Sequence, residues 1–298
     1  MGGLTADFDD RQAALYLAQG QAALQAGDAP AATAALTAAR GHPVTRLEAH
    51  NLMERHQLPG AFSEWVGVNC EVSPQDDIFR FFAGHPTSVN PLRDYFADGW
   101  RTLSELMLLL ESVQRPLLGA GSFLEFASGH GRFTRHLVKA LGAERVTVSD
   151  VVPDAVAFAR DTLGVPGFLS AARPEDVAWP RRYGVVFVLS LFSHLPRSSW
   201  GRWLARLVDA VEPGGLLVFT THGTEAARRA RVTLDAEGYF FAPSSESTAI
   251  DAQEYGTAFT DERFVQARMA ELAGPVEVLR WAPMWFWHHQ DAWVVRRR

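Results

Sequence analysis

Apolar positions recur at helical spacing through the first third of the chain. They then give way to short β-type runs that alternate with amphipathic stretches of helix length. Residues 9–40, rich in Ala, Leu and Gln and broken at Gly27-Asp28-Ala29-Pro30, predict a helical hairpin. A helix is expected over 43–58 and another over 92–112, ending before Pro116, with irregular structure over 60–90 where aromatic residues mix with Gly, Pro and Asp-Asp. The run Leu117 to Ser122 reads as a hinge. Beyond it, strands are predicted near 122–127, 145–151, 166–170, 183–190 and 215–221, separated by helices near 131–141, 153–163 and 197–211. A helix at 261–272 is followed by two β-type runs, 276–287 and 291–297, with only a short polar segment between them, which predicts an antiparallel hairpin. The expected architecture is α/β: a mostly parallel seven-stranded sheet with a C-terminal antiparallel hairpin (residues 117–298), preceded by an α-helical region (residues 1–116).

Composition narrows the function classes. A chain of 298 residues that is 47% hydrophobic can bury one large core or two modest ones. A formal charge of −6 gives no general attraction to phosphate backbones, so nucleic acid is not an expected partner. Cys70 stands alone, which excludes an internal disulfide framework and the cysteine spacings of zinc sites, and a reducing cytoplasm fits. Met1 to Asp10 has no cationic segment leading into an apolar run, and no apolar stretch of spanning length follows. Neither a leader nor a membrane span is expected. The first helical hairpin resembles a single tetratricopeptide-type helix pair, without the further copies that a repeat array needs.

The chemistry concentrates where the first predicted strand runs into a helix, at Phe123-Leu124-Glu125-Phe126-Ala127-Ser128-Gly129-His130-Gly131. Small residues there let backbone N–H groups approach a ligand closely. The segment resembles the first motif of the class I, Rossmann-like S-adenosylmethionine-dependent methyltransferases, an acid followed by a small-residue loop. Glu125 matches the acid, and Ala127, Gly129 and Gly131 match the small positions, with Ala127 standing where Gly is more usual. A dinucleotide fold would want a third glycine where this chain has Thr134. Asp150 ends the second strand, 19 positions after Gly131, where an acid can accept hydrogen bonds from two ribose hydroxyls. Leu189-Ser190-Leu191-Phe192-Ser193-His194-Leu195-Pro196 resembles the family's segment lining cofactor and acceptor. Glu212-Pro213-Gly214-Gly215 resembles the turn before its fifth strand.

The resemblance implies S-adenosylmethionine as cofactor, with Glu125, Ala127, Gly129, Gly131, Asp150 and Ser190 at its site, and a small or medium-sized molecule as methyl acceptor. The acid that often reaches the adenine amino group has no secure counterpart; Glu175 and Asp176 are the nearest, and each also reads as a solvated helix-start acid. His194 and His222 lie just past the fourth and fifth strands, where either can act as a general base or simply line the site. The insertion from Asp235 to Thr260 has the length of a lid or acceptor pocket, with Tyr255 as a candidate acceptor contact or as packing. Trp100, in the helix ahead of the sheet, is a second candidate acceptor contact. Trp281, Trp285, Phe286, Trp287 and Trp293 fit a pocket edge, an interface or plain sheet packing. His288, His289 and Asp291 lack a further convergent ligand, so no metal is expected. Two other readings stay open at this level, a nicotinamide-dependent oxidoreductase and a non-catalytic protein whose helical front binds a protein partner.

Overall fold

The computed structural model describes residues 2–244 and 251–298. Met1, where the search for a leader begins, and residues 245–250, inside the insertion between Asp235 and Thr260, lie outside the described residues. The chain divides into two compact units, Met1–Asp76 and Asp77–Arg298.

The first unit holds helices α1 (Gly2–Gln25), α2 (Ala29–Arg40), α3 (Arg46–Arg55) and the single turn α4 (Ser63–Val66). The predicted break at Gly27–Pro30 is a helix start: Pro30 sits in the first turn, and the Asp28 carboxylate caps α2 by accepting from Ala31 N–H at 3.0 Å. Ala32, Leu36, Ala39, Ala49, Met53 and Leu58 form its core. Asn51 closes the unit by pairing with the backbone of Val72 in both directions, at 2.8 and 2.9 Å.

In the second unit α5 (Asp77–Gly84) and α6 (Pro91–Glu111) precede the sheet. The segment expected to be irregular over 60–90 thus contains α4 and α5, helices too short for a periodicity argument to separate from turns. The strands are β1 (Phe123–Phe126), β2 (Val146–Asp150), β3 (Gly167–Leu169), β4 (Tyr183–Val188), β5 (Val211–Thr221), β6 (Tyr239–Ala242), β7 (Thr257–Thr260), β8 (Val276–Phe286) and β9 (Gln290–Arg297). Between them run α7 (Thr134–Leu141), α8 (Pro153–Leu163), α9 (Arg197–Asp209), α10 (Thr224–Ala230) and α11 (Glu262–Ala270).

Seven strands form one sheet in the order β3-β2-β1-β4-β5-β9-β8, parallel from β3 to β5 and antiparallel through β9 and β8. β1 and β2 are buried along their whole length, as strands covered on both faces must be. One face packs Leu103, Leu106, Leu109 and Leu110 of α6 with Phe133 and Leu137; the other packs Trp200, Trp203 and Leu204 of α9 with Phe264. The insertion supplies a separate antiparallel pair, β6 with β7. β5 begins at Val211, four residues before the strand start expected at 215, and its pairing with β4 shifts register across the Pro-Gly-Gly turn, where Gly214 has φ +78°. The turn is therefore a bulge inside the strand. Among the described residues, no helix is long and apolar enough to cross a membrane.

Helix α6 is tied to the C-terminal hairpin through Glu105. Its carbonyl accepts from the Trp285 indole at 2.9 Å, and its carboxylate accepts from Trp287 N–H at 3.1 Å and from Arg101 at 2.8 Å. We predict that Glu105→Ala costs about 1–2 kcal/mol through the lost carboxylate bonds. Thermal unfolding should show a melting point lowered by a few degrees, while truncation of the exposed Leu108 on the same helix leaves it near wild type.

Candidate active site at the C-terminal sheet edge

Turns after β1, β2, β4 and β5 hold the candidate residues. After β1 the chain reverses at Ala127 and enters α7 through Gly129 and Gly131, with φ of +58°, +55° and +82°. Ala127, where the resemblance would favour Gly, accepts the left-handed conformation despite its Cβ, at a cost of about 1 kcal/mol. The two glycines serve different ends. A Cβ on Gly131 would lie 2.7 Å from Leu163 Cδ1, so its bareness allows α7 and α8 to close up. A Cβ on Gly129 would meet nothing within 4 Å, so its bareness leaves the peptide open to a ligand.

Asp150 sits at the end of the neighbouring strand, buried, and its carboxylate joins the two segments. One oxygen accepts from Gly129 N–H at 2.8 Å and the other from Val152 N–H at 2.9 Å. Burial pushes its pKa up, against the lowering effect of those backbone bonds. The Val151 N–H also acts on this carboxylate, and a carboxylate offers about four acceptor positions, so its capacity is not filled. His130, between the glycines, reaches across to Asp154 at the start of α8 with 2.9 Å between Nε2 and Oδ2.

Glu125 lies deeper than the resemblance implies. It is 5% exposed, and its carboxyl accepts from the Thr134 hydroxyl at 2.6 Å. Burial pushes its pKa up to about 8, with Asp150 adding to the rise and Thr134 opposing it, so at neutral pH it is mostly a neutral acid. Thr134, which argued against a dinucleotide turn, is thus the residue that anchors this acid. Glu175 and Asp176 are exposed and held by Arg202 and Arg173; the Arg202 bonds pull Glu175 down to about 2.

The opposite rim follows β4 and β5. Ser190 adopts φ +65° and donates its N–H to Thr220 Oγ1 at 2.8 Å. His194 is buried; its Nδ1 bonds the Gly256 carbonyl at 2.6 Å and its ring stacks on Tyr255 with centroids 4.4 Å apart. His222 lies beside it, ring centroids 6.3 Å apart, with His289 at 4.8 Å and Phe259 at 5.1 Å. Burial lowers the pKa of His222 to about 3, and His289 is lowered by burial and by Arg229. Sequence reasoning weighed His289 only as a metal ligand and did not select Gln290, which contacts Ser190, Thr220 and His222. A lone Gln at a strand start carries no pattern that would single it out. Trp100 is 58% exposed and edge-on to His136 of α7 at 6.2 Å, and the adjacent Gly99 packs on the Arg132 carbonyl just past Gly131.

The C-terminal aromatic residues divide. Phe286 and Trp293 are core, whereas Trp281 is 38% exposed and donates to Asp291 at 3.2 Å. Asp291 also accepts from Met284 N–H at 2.9 Å, which accounts for its burial. Among the described residues, no three His, Cys, Asp or Glu side chains converge as a metal site.

Two substitutions probe the turn. Gly131→Ala should destabilise the protein by about 2–3 kcal/mol, from left-handed strain added to overlap with Leu163, and chemical denaturation measures this. For Glu125, the folded-state pKa of about 8 lies above the ordinary 4.5, so folding takes up a proton between these values. Stability should therefore fall by up to about 1.4 kcal/mol per pH unit through that window. Glu125→Gln should flatten the slope in urea titrations at a series of pH values; a parallel slope in the variant would refute the assignment.

Residues 123–215 match a family model described as a methyltransferase domain. The ribosomal protein L11 methyltransferase of Geobacter metallireducens is 34% identical over 125 residues, 42% of this chain. The chain spans 40% of the length of that curated relative. Similar solved structures include an S-adenosylmethionine-dependent methyltransferase from Clostridium acetobutylicum, at 11% identity and a TM-score of 0.49, covering 67% of this chain and 92% of that one. The magnesium protoporphyrin IX methyltransferase from Synechocystis, with bound S-adenosylhomocysteine, gives 13% identity and 0.47, covering 74% and 94%. The matched stretch, residues 123–215, contains the turn after β1 and both Gly129 and Asp150.

Proposed function

We propose that the protein transfers a methyl group from S-adenosylmethionine to a small or medium-sized acceptor, within a catalytic domain spanning residues 117–298. The observation that carries this reading is the junction of Gly129 and Asp150: an open, Cβ-free peptide bonded to a buried carboxylate with acceptor capacity to spare. That donor and acceptor set fits a nucleoside, with Asp150 for the ribose hydroxyls and the peptides from Ala127 to Gly131 for the amino-acid end.

The bound sulfonium supplies an activated methyl group. The chain's own work is to hold the acceptor in line with it, which is where most of the rate of such a displacement arises. Ser190, His194 and Tyr255 are the candidates for that task, since they stand past β4 and along the insertion. The Nδ1 of His194 faces a carbonyl, which only accepts, so the neutral ring carries its lone pair on Nε2. A neutral histidine in this form is the type of side chain that serves as a general base where the acceptor must lose a proton. Glu125 supports the turn from below through Thr134.

Asp150→Ala should weaken S-adenosylmethionine binding at least about tenfold, the scale of one lost hydrogen bond to a charged group. Isothermal calorimetry measures it, and an unchanged dissociation constant would remove Asp150 from the ribose site. Binding of a nicotinamide cofactor by the wild type, with no response to S-adenosylmethionine, would overturn the reading as a whole.

A further inference from the structure

A chain of hydrogen bonds among groups with little exposure runs behind the rim of β4 and β5. Ser190 N–H donates to Thr220 Oγ1 at 2.8 Å, so that hydroxyl accepts there and donates onward to Gln290 Oε1 at 2.5 Å. The Gln290 amide is thereby oriented. Its NH2 faces Ser190 Oγ at 2.8 Å and His222 Nε2 at 3.4 Å. The other ring nitrogen, Nδ1, faces the Ala258 carbonyl at 3.3 Å. An amide NH2 only donates and a carbonyl only accepts, so both neighbours require the same ring: proton on Nδ1, lone pair on Nε2.

We propose that Gln290 is a positioning residue that locks His222 as the neutral Nδ1–H tautomer, an uncharged fixed wall of the acceptor side that takes no proton during turnover. The inference rests on the methyltransferase reading only in calling this edge the acceptor side. Protonating Nε2 would set an N–H against the NH2 of Gln290 in a buried place, where unmatched donors are costly. The titratable groups acting on the ring are His289, from the turn between β8 and β9, and His194, after β4; both oppose a positive charge on His222. Arg229 of α10 acts in the same sense on His289. Phe259 and Ala258 of β7 are neutral, and the Asp291 carboxylate of β9 lies against the backbone of Gly223, the next residue in the chain after His222. A site for a sulfonium gains from this, because a cationic histidine nearby would repel the cofactor's charge.

The test is nitrogen NMR of the histidine rings in the full chain, with His222 assigned through His222→Gln. The expected result is an Nδ1–H ring that does not titrate between about pH 5 and about pH 8, the range in which an ordinary histidine does. In Gln290→Glu the carboxylate can accept from Nε2–H, so His222 should titrate above about 6.5, the ordinary histidine value. An Nε2–H ring in the wild type would overturn the proposal, as would an unchanged His222 spectrum in a folded Gln290→Glu protein. If that variant does not fold, the wild-type ring spectrum decides alone. Calorimetry of the wild type with S-adenosylmethionine reports separately on the methyltransferase reading, so failure of one is read apart from failure of the other.

Discussion

One hydrogen bond sets the geometry on which the rest depends: the N–H of Gly129 on the carboxylate of Asp150. It joins the turns that follow two adjacent parallel strands, β1 and β2, which the sheet already holds in register. The bond requires a left-handed peptide after β1 and an acid at the last residue of β2. It also fixes which atoms face the crevice. The open side of Gly129 and the unused acceptor positions of Asp150 lie together because the bond between them is made.

Around that junction burial works against charge. Glu125, buried beneath the turn, is kept largely protonated, and burial raises the pKa of Asp150 as well. Past β4 and β5, His222 and His289 are both shifted away from the charged form by burial and by neighbouring groups. The insertion contributes to the second wall: β7 and the residues just before it bond to His194 and His222 through Gly256 and Ala258.

Much of this was legible in the chain. The strands from β1 to β4 and the helices between them fell within a few residues of expectation, because buried parallel strands are short apolar runs and their helices carry clear starts. Asp150 and the glycine turn were legible because a fixed spacing and bare backbone are written in residue type. The role of Glu125 was not. The pattern marks an acid, but only packing shows that Thr134 donates to it under the turn. Gln290 was invisible for a related reason: its partners Ser190 and Thr220 lie 100 and 70 residues away, and no local pattern links them. The early start of β5 escaped because Pro-Gly-Gly reads as a turn whether it ends a strand or bulges inside one.

The most direct test is a crystal structure with S-adenosylhomocysteine bound. The account predicts both ribose hydroxyls on the Asp150 carboxylate and the amino-acid portion against the peptides of Ala127 to Gly131. A nucleoside bound away from Asp150, or side chains filling the space beside Gly129, would contradict it.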